Sequence, residues 1–281
     1  MVVLVTGRDG QLGSEIELLS KNIRDYEFIF TNRDQLDISK ESQVYSFFEN
    51  NRIDKLINCA AYTNVDGAEI EAEKANEINN LGVSYLAKAC KRHHVGMVHI
   101  STDYVFDGES DEPYKETDSP NPINTYGKSK LAGEIEMKRV NPKNSIIIRS
   151  SWIHSKLGDN FVKKIISLAK QEKEINVVCD QFGSPTNAAD LAENILFILS
   201  AINSTQVDIF NFCNSGSCSW FDFALEIIKK NKYPINVNPI SSNEYKAPAK
   251  RPKFSVLSNS KISKTFNLNI RKWNESLYEL V

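Results

Sequence analysis

The chain opens on a short apolar, β-branched run, Val2 to Thr6. It breaks at Gly7-Arg8-Asp9-Gly10-Gln11-Leu12-Gly13, after which a helical spacing of apolar residues takes over from Ser14 to Leu19. The same alternation repeats. Apolar runs predict strands at Tyr26 to Phe30, Lys55 to Cys59, Gly96 to Ser101 and Ser145 to Arg149, and helical periodicity predicts helices over Ser42 to Asn50, over about Ala68 to His93, and from Asn124 onward. Strands alternating with helices of this length form parallel βαβ units, so the fold class is α/β with a doubly wound parallel sheet of the Rossmann type. Further on the pattern predicts helices at Asn160 to Glu172, Asn187 to Ser200 and Phe221 to Lys230, and strands at Ile175 to Asp180 and Val207 to Phe212. The last of these is expected to rejoin the main sheet. The tail from Tyr233 to Val281 mixes prolines with short apolar runs and reads as part of a small lobe packed over the cleft.

The glycine turn between the first strand and helix has the spacing Gly-x-x-Gly-x-x-Gly, a variant of the dinucleotide fingerprint. Glycines let the backbone turn sharply and approach a pyrophosphate, whose charge then rests on free N–H groups at the helix N-terminus. Residues 1–150 are therefore expected to form the dinucleotide-binding domain, rejoined by about 187–214, with 151–281 mainly a substrate-binding lobe. The second strand runs into Thr31-Asn32-Arg33, where an NAD site would place an acid against the ribose. Arg33 suits a 2′-phosphate and favours NADPH; Asp34 follows at once and keeps NADH open. Ligands of such sheets lie beyond the carboxyl ends of the strands. Thr102 and Asp103 fall there. Tyr126 and Lys130 stand four positions apart at the start of a helix and so share one face. A phenol beside a cation is expected to ionise more easily, and the pair can then pass a proton to a carbonyl oxygen.

Composition narrows the partners. With 281 residues, 41% hydrophobic and 25% charged, the chain is an ordinary globular one. A net charge of -2 argues against a broad basic surface for nucleic acid. No apolar run reaches the ~18 residues a membrane span requires, and the N-terminus lacks a signal-peptide pattern, so a cytoplasmic protein is expected. The five cysteines are scattered and read as reduced core residues, the four histidines make no zinc spacing with them, and no metal site is predicted. The Gly-x-x-x-x-Gly-Lys-Ser/Thr loop is absent, which counts against phosphoryl transfer.

The Gly7–Gly13 turn, Ser101-Thr102-Asp103-Tyr104-Val105-Phe106-Asp107-Gly108 and Tyr126-x-x-x-Lys130 resemble the extended short-chain dehydrogenase/reductases, and among them the dTDP-4-dehydrorhamnose reductases. Asn58 to Thr63, Arg149 to Trp152, Asp180 to Thr186 and Arg251-Pro252 match stretches of that family in order, so the resemblance spans nearly the whole chain. Cys59 stands where small alanine-like residues are usual. The resemblance implies that Tyr126 is the general acid, that Lys130 holds the nicotinamide ribose and tunes the tyrosine, and that Thr102 positions the carbonyl. It implies cofactor contacts at Gly7, Gly10, Gln11, Leu12, Gly13, Arg33, Asp37, Ile38, Ala60, Ala61 and Tyr62. Substrate contacts are implied at Thr102, Asp103, Trp152, Gln181, Pro185, Thr186 and Arg251. An arginine fork at Arg251 suits a diphosphate, with an idle surface arginine as the alternative. The flat ring of Trp152 is read either as packing on a sugar or base or as buried core. The implied partner is a dTDP-linked 4-keto-6-deoxyhexose, reduced at C4 for cell-surface polysaccharide. Glu15 matches a position that helps bind Mg2+ between subunits in some members; a solvated helix face is the simpler reading, and a homodimer is left open. Rivals are a nucleotide-sugar epimerase or dehydratase of the same superfamily and a non-catalytic regulatory subunit on the same fold. Whether C4 acquires the rhamnose or the 6-deoxytalose configuration is open too.

Overall fold

A computed structural model describes residues 1–277, so the last four residues of the predicted C-terminal lobe lie outside it. Strand β1 (Val2–Thr6) leads to α1 (Gln11–Ser20), and β2 (Glu27–Thr31) to α2 (Glu41–Asn50). After β3 (Lys55–Asn58) come α3 (Val65–Ala68), α4 (Ala72–Asn76), a π-helical turn at Glu77–Gly82, and α5 (Val83–Arg92). Strand β4 (Gly96–Thr102) ends in a 3-10 turn at Asp103–Val105, and α6 (Thr125–Val140) follows before β5 (Ile146–Ser150). The rest is β6 (Ile153–His154), α7 (Phe161–Gln171), β7 (Glu174–Val178), β8 (Phe182–Gly183), β9 (Thr186–Asn187), α8 (Ala188–Ile198), β10 (Asp208–Asn211), β11 (Cys218–Ser219), α9 (Trp220–Lys230), β12 (Asn236–Ile240), α10 (Ser260–Phe266) and α11 (Trp273–Ser276).

Six parallel strands make the main sheet in the order β10-β5-β4-β3-β1-β2. The run Val207 to Phe212 does pair into it, as Ile209 opposite Ile147 on β5. Because β2 lies on one side of β1 and β3 on the other, the chain reverses direction across the sheet there, which opens a crevice above the carboxyl ends of both strands. Apolar layers cover both faces, with α2, α5 and Met137 of α6 on one side and α1, α8 and Ile262 on the other. That accounts for strands apolar on both faces, since helices leave neither open to water. A separate core of Val162, Ile165, Ile175, Phe223 and Ile227 joins α7 and α9 to β7 in the second lobe.

One predicted element differs. The single helix expected over about Ala68 to His93 is broken into three pieces by the turn at Glu69–Glu71 and by the π segment. Packing is the reason. A Cβ on Gly133 of α6 would come within 2.1 Å of the Asn79 carbonyl, so the two backbones nearly touch. The widened turn aims buried Asn79 at α6, where its Nδ2 donates to Ser129 Oγ at 3.0 Å and its Oδ1 accepts from Tyr62 N at 2.9 Å.

Candidate active site

The glycine turn is built by close backbone approach. Gly7 has φ +72°, and a Cβ there would lie 2.6 Å from Ala60 N; one on Gly13 would lie 2.3 Å from the Gly7 carbonyl. Side chains do not fit at either position. Gly10 caps α1 without a side-chain hydrogen bond, and the first turn carries no acidic residue, so its N–H groups are left for an anion. These features fit a dinucleotide pyrophosphate. At the end of β2, Arg33 is largely exposed and its Nε lies 3.3 Å from Asp37 Oδ2. Glu15 faces Ser155, whose hydroxyl donates to it at 2.5 Å.

Helix α6 is set by its own first turn. Asn124 Oδ1 accepts from Gly127 N at 2.7 Å, and a Cβ on Gly127 would sit 2.1 Å from the Tyr104 carbonyl, so the helix starts flush against the end of β4. This brings Tyr126 beside Thr102, whose Oγ1 donates to Asp103 Oδ1 at 3.0 Å and accepts from Tyr104 N at 3.1 Å. Lys130, one turn further, is almost wholly buried and donates to the Ile100 carbonyl at 2.6 Å.

A cleft of about 730 Å³ collects these groups. Its walls include Gly7, Gly10, Gln11, Leu12, Gly13, Arg33, Asp37, Ile38, Ala60, Ala61, Thr102, Asp103, Tyr126, Lys130 and Trp152. Of the residues expected from sequence, Tyr62, Gln181, Pro185, Thr186 and Arg251 do not line it. The Tyr62 hydroxyl donates to Glu71, the Gln181 amide to Ser242, and the Thr186 hydroxyl accepts from Ser150. Arg251 is engaged by Asp66 in a two-pronged ion pair, with Nη1 to Oδ1 at 3.1 Å and Nη2 to Oδ2 at 2.8 Å. Trp152 is half-buried: it lines the cleft, and its ring stacks on Trp220 with centroids 3.5 Å apart and planes 9° from parallel. Phe161, Trp220 and Phe223 also line the cleft and were not expected. Phe161 and Trp220 are the first residues of α7 and α9, and only the docking of that lobe turns them toward the cleft.

The electrostatics correct one expectation. Burial pushes the Tyr126 phenol up to about 12, with Asp103 adding to the rise and the neighbouring Thr102 hydroxyl opposing it. Lys130 does not lower it: its ammonium turns to the Ile100 carbonyl, and burial pulls it down to about 8 against the pull of Glu134 and Cys59. A phenol that is neutral at pH 7 is a proton donor, which is what reduction of a carbonyl needs. Burial also pushes the Asp103 carboxyl up to about 7, hydrogen bonds from Ser255 and Thr102 offsetting only part.

The RmlD substrate binding domain family matches residues 1–281. The chain is 38% identical to the dTDP-4-dehydrorhamnose reductase of Aggregatibacter actinomycetemcomitans, over 98% of this chain and 96% of that one. The chain belongs to the dTDP-4-dehydrorhamnose reductase family. A crystal structure of a dTDP-4-dehydrorhamnose reductase from Clostridium acetobutylicum superposes with a TM-score of 0.94 at 42% identity, covering 98% of this chain and 96% of that one. The reductase of Bacillus anthracis, solved in complex with NADP, gives 0.92 at 39% identity with the same coverages.

For this dTDP-4-dehydrorhamnose reductase family member the buried Asp103 carries a stability signature. Its folded pKa lies above the ordinary value of 3.8, so the stability that Asp103 contributes is lost as pH rises from about 4 through about 7, where the unfolded chain has ionised and the folded one has not. Asp103→Asn mimics the protonated form. It is expected to gain on the order of 2–3 kcal/mol more over wild type at pH 8 than at pH 5, a difference of about two pKa units. Urea melts of both proteins at the two pH values check this. An equal difference at both would show that Asp103 is already ionised in the acid range.

Proposed function

We infer that the protein reduces the C4 keto group of dTDP-4-dehydro-L-rhamnose to dTDP-L-rhamnose with NADPH. The observation that carries this reading is one rim on which the glycine turn, Thr102, the neutral phenol of Tyr126 and the buried ammonium of Lys130 converge. The NADP in the Bacillus anthracis relative supports the choice of cofactor. Bound in the cleft, NADPH supplies the hydride for C4. The glycine turn and the first turn of α1 hold the pyrophosphate, Lys130 holds the nicotinamide ribose, and Arg33 holds the 2′-phosphate. Thr102 donates to the C4 oxygen and fixes it beside Tyr126, and Tyr126 gives that oxygen its proton as charge develops there. Trp152, backed by Trp220, offers a flat wall for the sugar.

The direct test combines the protein, NADPH, enzymatically made dTDP-4-keto-6-deoxyglucose and the 3,5-epimerase that converts it to the true substrate. Consumption of one NADPH per dTDP-L-rhamnose formed is expected. No consumption, or a product with the opposite configuration at C4, overturns the assignment.

The cofactor choice is tested separately. Arg33→Ala is expected to weaken NADPH by one to two decades and NADH hardly at all, because a charge-assisted hydrogen bond is worth roughly 1.5–3 kcal/mol. Dissociation constants for both nucleotides decide it, and equal losses would mean that Arg33 does not contact the phosphate.

A further inference from the structure

Beneath the cleft lies an ion pair that no role above uses. Arg149 Nε donates to Glu134 Oε1 at 2.9 Å and Nη2 to Oε2 at 2.6 Å, and each side chain is 2% exposed. Ser101 Oγ donates to the same Oε1 at 2.5 Å, and the Phe106 ring covers the guanidinium at 5.1 Å. Every member adjoins the reductase centre. Ser101 precedes Thr102, and Arg149 precedes Ser150, which lines the cleft. Glu134 follows Lys130 by four residues and Tyr126 by eight, on one face of α6. Since Lys130 itself bonds the carbonyl of Ile100, two successive residues of β4, Ile100 and Ser101, grip α6 at points one turn apart.

A buried ammonium needs an anion near it to stay charged. The described titratable groups around Lys130 are Cys59 from the end of β3, His99 from β4, and Tyr126 and Glu134 on its own helix. Burial pushes the Cys59 thiol up to about 12 and holds His99 well below its ordinary value, so both are neutral near pH 8. Tyr126 is neutral there as well, and Asp103 acts on Tyr126 rather than on Lys130. Glu134, one turn along the same helix face and held by the Arg149 fork and the Ser101 hydroxyl, is left as the counter-charge.

We propose that Glu134 is the positioning residue of the reductase centre: held by Arg149 and Ser101, it fixes the catalytic face of α6 against the end of β4 and keeps Lys130 in the ammonium form that grips the cofactor ribose. The proposal rests on the reading of Lys130 given above. It predicts a pH dependence of cofactor binding that a purely structural ion pair would not produce.

The test is the NADPH dissociation constant as a function of pH, read from nucleotide fluorescence, for wild type, Glu134→Gln, the double variant Glu134→Gln/Arg149→Met, and Lys130→Met. Wild-type affinity weakens as pH rises through about 8, where Lys130 loses its proton. In Glu134→Gln the weakening begins about one pH unit lower or more, because the variant removes the attracting carboxylate and leaves Arg149 unpaired. The double variant leaves no stranded charge and remains measurable even where the single one does not fold. Its weakening falls between the two, also below wild type. A weakening that stays at the wild-type pH in these variants, whatever their melting temperatures, reduces the pair to a structural tie and overturns the proposal. Lys130→Met separates the two readings: it should bind NADPH poorly and without this pH dependence. Wild-type binding by that variant would overturn the role of Lys130, and this inference with it.

Discussion

Tyr126→Phe is expected to lower turnover by at least ~100-fold, since general acid catalysis typically contributes ~10²–10⁴-fold, while NADPH affinity is little changed. The separation follows from the geometry. The Tyr126 ring packs edge-on against Tyr104 with centroids 5.9 Å apart, and phenylalanine keeps that contact. On the proposed reading the cofactor rests on the glycine turn and Lys130, on other atoms. What disappears is the hydroxyl beside Thr102 and, on the proposed reading, the proton for the C4 oxygen. Single-turnover rates with saturating NADPH would measure the loss directly. A variant that keeps half its activity would move the proton donor elsewhere, and Asp103, whose carboxyl holds its proton up to about pH 7, is the group to examine next.

Arg149→Met carries the largest expected loss of stability. It strips the Glu134 carboxyl, 2% exposed in the layer between the sheet and α6, of its two guanidinium hydrogen bonds and leaves it the Ser101 hydroxyl and the more distant Lys130. Breaking a buried pair on one side costs roughly 3–5 kcal/mol, which in a chain of this size lowers the melting temperature by about 10 °C. The methionine replaces most of the apolar stem, so the loss reports charge more than volume. Adding Glu134→Gln should recover most of it, because the second change removes the stranded charge. Melting curves of the single and double variants measure the coupling. If the double variant melts lower than Arg149→Met, the cost lies in packing around Phe106 and not in the unpaired carboxylate.

Much of this was legible along the chain because its causes are local. The glycine turn is a matter of backbone conformation at Gly7 and close approach at Gly13, and both leave glycines at fixed spacing. The Tyr126–Lys130 pairing needs only the period of a helix. Strand and helix positions follow from which residues can face an apolar layer, and the observed elements depart from the expected ones by a residue or two at most ends. The long helix before β4 is the exception. Its break at Glu69–Glu71 and its π turn answer to α6, a segment roughly fifty residues away in sequence, whose close approach at Gly133 no local pattern records.

The sequence by itself determined the α/β alternation, the glycine turn, the residue types that gather on the cleft rim and, through several stretches in order, the family. Only the tertiary structure decided the charge states and the partners. A pKa depends on what other segments bring near a group and on how much water they remove. That is why Tyr126 is harder to ionise rather than easier, with Asp103 from the end of β4 at its side and Lys130 turned toward Ile100. Arg251 could be read as free for a diphosphate until α3 placed Asp66 against it, and only the fold laid Trp220 of α9 against Trp152 at the cleft wall. Long side chains choose between water, ligand and neighbour by differences of a few kcal/mol, and those differences exist only once the neighbours have been assembled by the fold.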